Sequence, residues 1–165
     1  MNLIYNQTKI PKEQWRYGFR TSAATGCGWI ATYNALRLLG HHPKPEGLIC
    51  FFEHQLPLIH GNTGTSFWGP GEYFRRQGFP VKATANRRQY DALVEESDVC
   101  ILFYWWRQGH RLGAHFVALH KTPEGIIGYN TYRNSTGPDQ YGESLDQFLS
   151  KKKYFLTYLV GIRNK

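Results

Sequence analysis

No apolar run in this 165-residue chain approaches the roughly 20 residues that a membrane span needs; the longest, Val99 to Trp106, has the length of a strand. The opening residues, Met1 to Lys12, lack the charged start and apolar core of a signal peptide. Cysteine is scarce. Cys27, Cys50 and Cys100 are odd in number and widely scattered, which argues against a disulfide-stapled scaffold and suits a reducing compartment. The glycine-rich loop from Gly61 to Gly71 lacks the Gly-Lys-Ser or Gly-Lys-Thr ending of a phosphate loop, so nucleotide binding is poorly supported. Acidic residues are few, leaving a formal charge of +8. The basic clusters Arg75 and Arg76, Arg87 and Arg88, and Lys151 to Lys153 are separated and fall near expected helix ends, where cations complement the helix dipole. No nucleic-acid motif accompanies the charge. The expectation is a soluble, cytoplasmic chain without a membrane span or a nucleic-acid partner.

What is present suffices for one domain over residues 1–165, long enough to bury about two thirds of its unfolded surface without staples. Residues 1–24 read as irregular, with Trp15, Tyr17 and Phe19 alternating in a segment that lies across the domain. Helices are expected over Thr25 to Gly40, Pro45 to Leu56, Glu72 to Gln77 and Arg87 to Glu96, with a short one at Leu145 to Ser150. Strands are expected at Val81 to Ala85, Val99 to Trp106, Ala114 to Lys121, Gly125 to Arg133 and Tyr154 to Ile162. Helices first and mostly antiparallel strands later make an α+β domain.

The stretch Thr25 to Gly40, TGCGWIATYNALRLLG, is apolar most of the way round, as a core helix is. Thr25 suits an N-cap, and Gly40 ahead of His41, His42 and Pro43 gives a stop. Cys27 then sits among the unpaired amides of the helix start, at the positive end of the macrodipole, which favours thiolate over thiol. Buried packing is the commoner fate of a free cysteine, so the assignment depends on partners elsewhere in the chain.

A nucleophilic thiol needs a base and a group that holds the base in the right tautomer. His115 shares a strand face with Val117 and Leu119, while Asn130 shares one with Gly128 and Tyr132. A hairpin turn centred between Pro123 and Glu124 sets Asn130 opposite Val117, one diagonal step from His115 on the same face. A one-residue slip would send Asn130 to the other face.

Cys27 at a helix start, GAHFVAL around His115 and GYN ending in Asn130 together resemble the papain-like cysteine peptidases. The resemblance is nearest to the double-glycine peptidase branch that trims bacteriocin leaders, and it extends to GTSFWGPGEYFRRQGFPV. It implies Cys27 as nucleophile, His115 as base and then acid, and Asn130 as the group orienting His115. It also implies a helical half, with a central Cys-bearing helix, packed on a mostly antiparallel sheet half, and a peptide or protein substrate in the cleft. The family's glutamine about six residues before the cysteine is Thr21 in this chain, with Ser22 next and Gln14 and Gln7 much further upstream. The main-chain amide of Cys27 supplies one oxyanion donor; Tyr17 is a candidate for the other. Losing a side-chain donor costs on the order of a hundredfold in rate. Two alternatives therefore stand beside hydrolysis of a peptide or amide bond: acyl transfer of the transglutaminase kind on the same trio, and a non-catalytic papain-like shell that binds a peptide or protein partner. The branch often carries an acidic residue where Asn130 stands, and papain itself uses asparagine.

Cys50, His54 and His60 suggest zinc by spacing, but a fourth ligand is not evident, and no metal or cofactor is expected. His110, in the expected loop Arg107 to Gly113, is an alternative base, although a strand position suits a base better. Asn34, on the face of Cys27, is expected to hydrogen bond within the core. The aromatic run Phe103 to Trp106 fits a packed central strand.

Overall fold

The structure, a computed structural model, describes residues 2–55, 64–131, 136–152 and 154–165. The amino-terminal segment makes a single 3-10 turn at Gln7–Lys9, with Asn6 accepting from the Thr8 amide as its cap. Two short paired strands follow, β1 (Arg16–Tyr17) and β2 (Arg20–Thr21), where an irregular segment was expected. A one-turn helix, α1 (Ser22–Thr25), leads into α2 (Cys27–Leu38). Thr25 is therefore not the N-cap of the cysteine helix. It closes the preceding turn, and Gly26 takes the cap position because a Cβ there would come within 2.6 Å of the Ser22 carbonyl oxygen and the Trp29 indole nitrogen.

After α2 the chain forms α3 (Pro45–Glu53) and α4 (Gly69–Arg76), each with proline in its first turn, where its missing N–H costs nothing. Then come β3 (Val81–Thr84), α5 (Tyr90–Glu95), β4 (Val99–Gln108), β5 (Arg111–Thr122), β6 (Gly125–Tyr129), β7 (Asp139–Gly142), α6 (Leu145–Ser150) and β8 (Tyr154–Ile162). All pairs in the six-stranded sheet are antiparallel, in the order β3-β8-β4-β5-β6-β7.

Alternation along the central strands divides the core in two. Val99, Ile101 and Phe103 of β4, with Phe116 and Ala118 of β5, face a cluster that includes Trp29, Ile30 and Tyr33 of α2 and Leu48 and Phe52 of α3. Cys100, Leu102 and Tyr104, with Val117 and Leu119, face the other cluster, which includes Leu93 and Val94 of α5 and Leu145 and Leu149 of α6. The sheet is thus covered by the α2 group on one face and by α5 and α6 on the other. Helix α2 is buried from Gly28 through Leu36, which matches a sequence apolar on nearly every side. Asn34 finds its core partner in the main chain of the amino-terminal segment: it accepts from the Ile4 amide at 2.9 Å and donates to the Ile4 carbonyl at 2.8 Å.

Candidate active site

Cys27 is the first residue of α2, half-buried, against a cavity of about 270 Å³. The cavity is lined by Ala24 and Thr25 ahead of the helix, by Gly64 and Thr65, and by Phe103, Trp105, Ala114 and Phe116 of the β4–β5 pair. The main-chain amides of Phe116, Gly28 and Cys27 itself act to lower the thiol pKa, so the helix start does favour thiolate as expected. They do not win. Burial outweighs them and pushes the thiol up to about 11, leaving it protonated at neutral pH.

His115 lies in β5, 1 % exposed, and burial pushes its imidazole down to about 4, against the opposing effect of a hydrogen bond to the Asn130 carbonyl. Its cross-strand partner is Tyr104, with ring centroids 5.9 Å apart. Tyr104 belongs to the cluster on the α5 and α6 side, whereas Cys27 packs against the α2-side cluster. The two side chains thus approach β5 from its two faces and converge on adjacent residues, the sulfur meeting the amide of Phe116, one residue beyond His115. Among the described residues no hydrogen bond joins the sulfur to the ring.

The register of the β5–β6 hairpin pairs Ala118 with Tyr129 and Thr122 with Gly125, and continued by one residue it sets Asn130 opposite Val117, as the turn position predicts. Regular pairing stops there. Asn130 adopts φ +67°, in the left-handed region, and the end of the expected strand at 132–133 lies outside the described residues. His115 and Asn130 are brought together, but through the main chain: Nε2 donates to the Asn130 carbonyl oxygen. The carboxamide that was expected to orient the ring is engaged instead by Gln7, whose main-chain N–H donates to Oδ1 at 2.8 Å and whose Oε1 accepts from Nδ2 at 2.9 Å. Both residues are buried. A partner 123 positions away carries no local sequence signal, which is why Gln7 reads as remote.

Thr21, in the place of the family's glutamine, is half-buried as the last residue of β2, at the N-cap of α1, where its hydroxyl makes no capping bond. Tyr17 lies closer to the chemistry. It is fully buried, its hydroxyl is 2.9 Å from that of Thr65, and burial pushes its phenol up to about 12, with the nearby Cys27 adding to the rise. Thr65 itself was not anticipated. Its side chain occupies the space that a Cβ on Gly28 would need, at 2.3 Å. His110 falls in the tight turn between β4, which runs two residues past its expected end, and β5, which starts three residues before its expected start, at the Gln108–Arg111 pair. Cys50 and His54 line a separate cavity of about 520 Å³, the His54 Nδ1 lying 2.7 Å from the Cys50 carbonyl; His60 lies outside the described residues. No helix among the described residues is long and apolar enough to cross a membrane.

The fold is α+β and papain-like, with the cysteine-bearing helix seated on an antiparallel sheet. Among solved structures it is similar to the peptidase domain of Streptococcus ComA, described as a bi-functional ABC transporter involved in a quorum-sensing pathway. The TM-score is 0.58 at 13 % identity, covering 86 % of this chain and 93 % of that one. No family model matches the chain, and no curated protein sequence matches it.

Proposed function

We propose that this chain, working as one domain, is a cysteine peptidase-like hydrolase that cleaves a peptide or amide bond through a thioester on Cys27, with His115 as base and then acid and Asn130 orienting it. The observation that carries this reading is the placement of Cys27 at the start of the central helix, beside a cavity and against the strand amide next to His115, in a fold shared with a peptidase domain. With the thiol pushed up to about 11 and the imidazole down to about 4, the resting pair is neutral, so the proton moves as the sulfur attacks and not before. Proton transfer requires the ring and the sulfur, which approach β5 from its two faces, to meet at the strand edge ahead of Ala118, where pairing with β6 begins. The oxyanion takes the Cys27 amide as one donor. The Tyr17 hydroxyl, kept protonated by burial and paired with Thr65, stands in for the missing glutamine.

The test is turnover of a peptide panel by the native protein, Cys27→Ala and His115→Ala, together with iodoacetamide labelling and mass mapping of Cys27. Cleavage abolished by either substitution is the expected result. Unchanged cleavage in Cys27→Ala would sink the assignment. A second reading, a non-catalytic peptide-binding shell, is favoured by the same neutral pair. It predicts no turnover by the native protein on any panel peptide, and a bound peptide held as tightly by Cys27→Ala. Transfer to an amine in preference to water would instead identify an acyltransferase on the same residues.

A further inference from the structure

We infer that Gln7 is a positioning residue for His115, acting through Asn130 and selecting the imidazole tautomer. The inference rests on the assignment of His115 as base made above. Gln7 is fully buried and meets Asn130 with donor and acceptor at once, N–H to Oδ1 at 2.8 Å and Oε1 from Nδ2 at 2.9 Å. A carboxamide is required at position 130 for this pairing. An aspartate accepts from the Gln7 amide but offers Oε1 no proton. This gives a physical reason for asparagine where the double-glycine branch often carries an acid. A third bond, from Gln7 Nε2 to the Ala23 carbonyl at 3.1 Å, ties the pair to the turn just ahead of the cysteine helix.

The consequence reaches the ring through the backbone. Asn130 sits at φ +67°, a conformation that asparagine tolerates better than most residues but that needs holding. The clamp on its side chain fixes that conformation, and the conformation aims its carbonyl oxygen at His115 Nε2. A carbonyl can only accept, so the ring carries its proton on Nε2 and Nδ1 is the basic nitrogen. The amino-terminal segment that delivers Gln7 is itself held by the two-way Asn34–Ile4 pair on α2. The site is thus spanned by a strap running from the helix to the end of β6.

Gln7→Met keeps most of the side-chain volume and removes both side-chain hydrogen bonds. Two readouts separate positioning from mere packing: the 15N spectrum of histidine-labelled protein, which reports the His115 tautomer, and the pH profile of iodoacetamide alkylation at Cys27. The native protein should show the Nε2–H tautomer. Gln7→Met should show loss of that single signature, a displaced pH profile and alkylation slower by roughly tenfold, the worth of one hydrogen bond of average strength. A folded Gln7→Met with unchanged tautomer and profile overturns the inference. If Gln7→Met does not fold by circular dichroism, Gln7→Leu, which likewise removes both side-chain bonds without adding a charge beside His115, is read by the same two measurements with the same expectations. If His115→Ala alters the Cys27 profile while the Gln7 variants do not, only the positioning role falls. If His115→Ala leaves that profile unchanged, the base assignment and this inference fall together.

Discussion

His115 and Cys27 are each held neutral by burial, and this has a thermodynamic signature apart from any turnover. The folded imidazole titrates near 4 while an unfolded histidine titrates near about 6.5. On acidification the unfolded chain takes up the proton first, so the contribution of His115 to stability is complete above about 6.5 and is lost as pH falls towards 4. The ceiling on that loss is about 3 kcal/mol. Urea unfolding of the native protein and His115→Gln at a series of pH values should show the difference between them shrinking across that window. A constant difference would mean that His115 is not desolvated in the fold. Cys27 behaves with the opposite sign, since a raised folded pKa favours the folded state less as pH climbs from the ordinary thiol value towards about 11. The strand face of His115 and the register that sets Asn130 opposite Val117 were legible in advance from alternation and the turn position. The charge states were not: they follow from burial, which overrode the helix-start amides, and burial depends on what covers Cys27.

At the scale of elements, the start of α2 shows how closely local geometry is drawn. Gly28 faces Thr65 with no room for a methyl group, since a Cβ would stand 2.3 Å from the Thr65 hydroxyl oxygen and Cβ. Gly28→Ala should therefore destabilise by about 1–3 kcal/mol in urea unfolding, or displace Thr65 and open the Cys27 cavity, read as faster alkylation of Cys27. A variant as stable as the native protein with unchanged alkylation would show that Thr65 does not press on the helix start. The strand pattern of the sequence located the β5–β6 register because its turn, Thr122 to Gly125, is compact and flanked by apolar alternation. The same signal failed at β7, whose residues Asp139–Gly142 are mostly polar, and at the tip of the β4–β5 hairpin. There Arg107, Gln108 and Arg111 look like loop residues but pair as strand, because the two-residue turn at Gly109, with φ +58°, needs no longer connection.

For the whole molecule, the α+β class and the antiparallel sheet were legible, but the sheet order was not. Periodicity shows which residues of a strand are buried and is silent on which strand lies beside it. The last strand, β8, inserts between β3 and β4, closing the sheet with the segment most distant in sequence from α2. The central strands β4, β5 and β8 give one face to each core cluster, so neither cluster can lose its packing without disturbing strands that the other needs. Leu159 of β8 is fully buried on the α5 and α6 side, the opposite face of the sheet from the cavity at Cys27. Leu159→Ala should cost about 2–5 kcal/mol, lowering the urea midpoint with no change in slope. Because the sheet is shared, the amides of α2 on the opposite face should lose hydrogen-exchange protection by the same free energy. Protection in α2 that stays at the native level, while the α5 and α6 side weakens, would show two independently stable halves. In that case the Cys27 helix and the His115 strand would not be held in register by a common core.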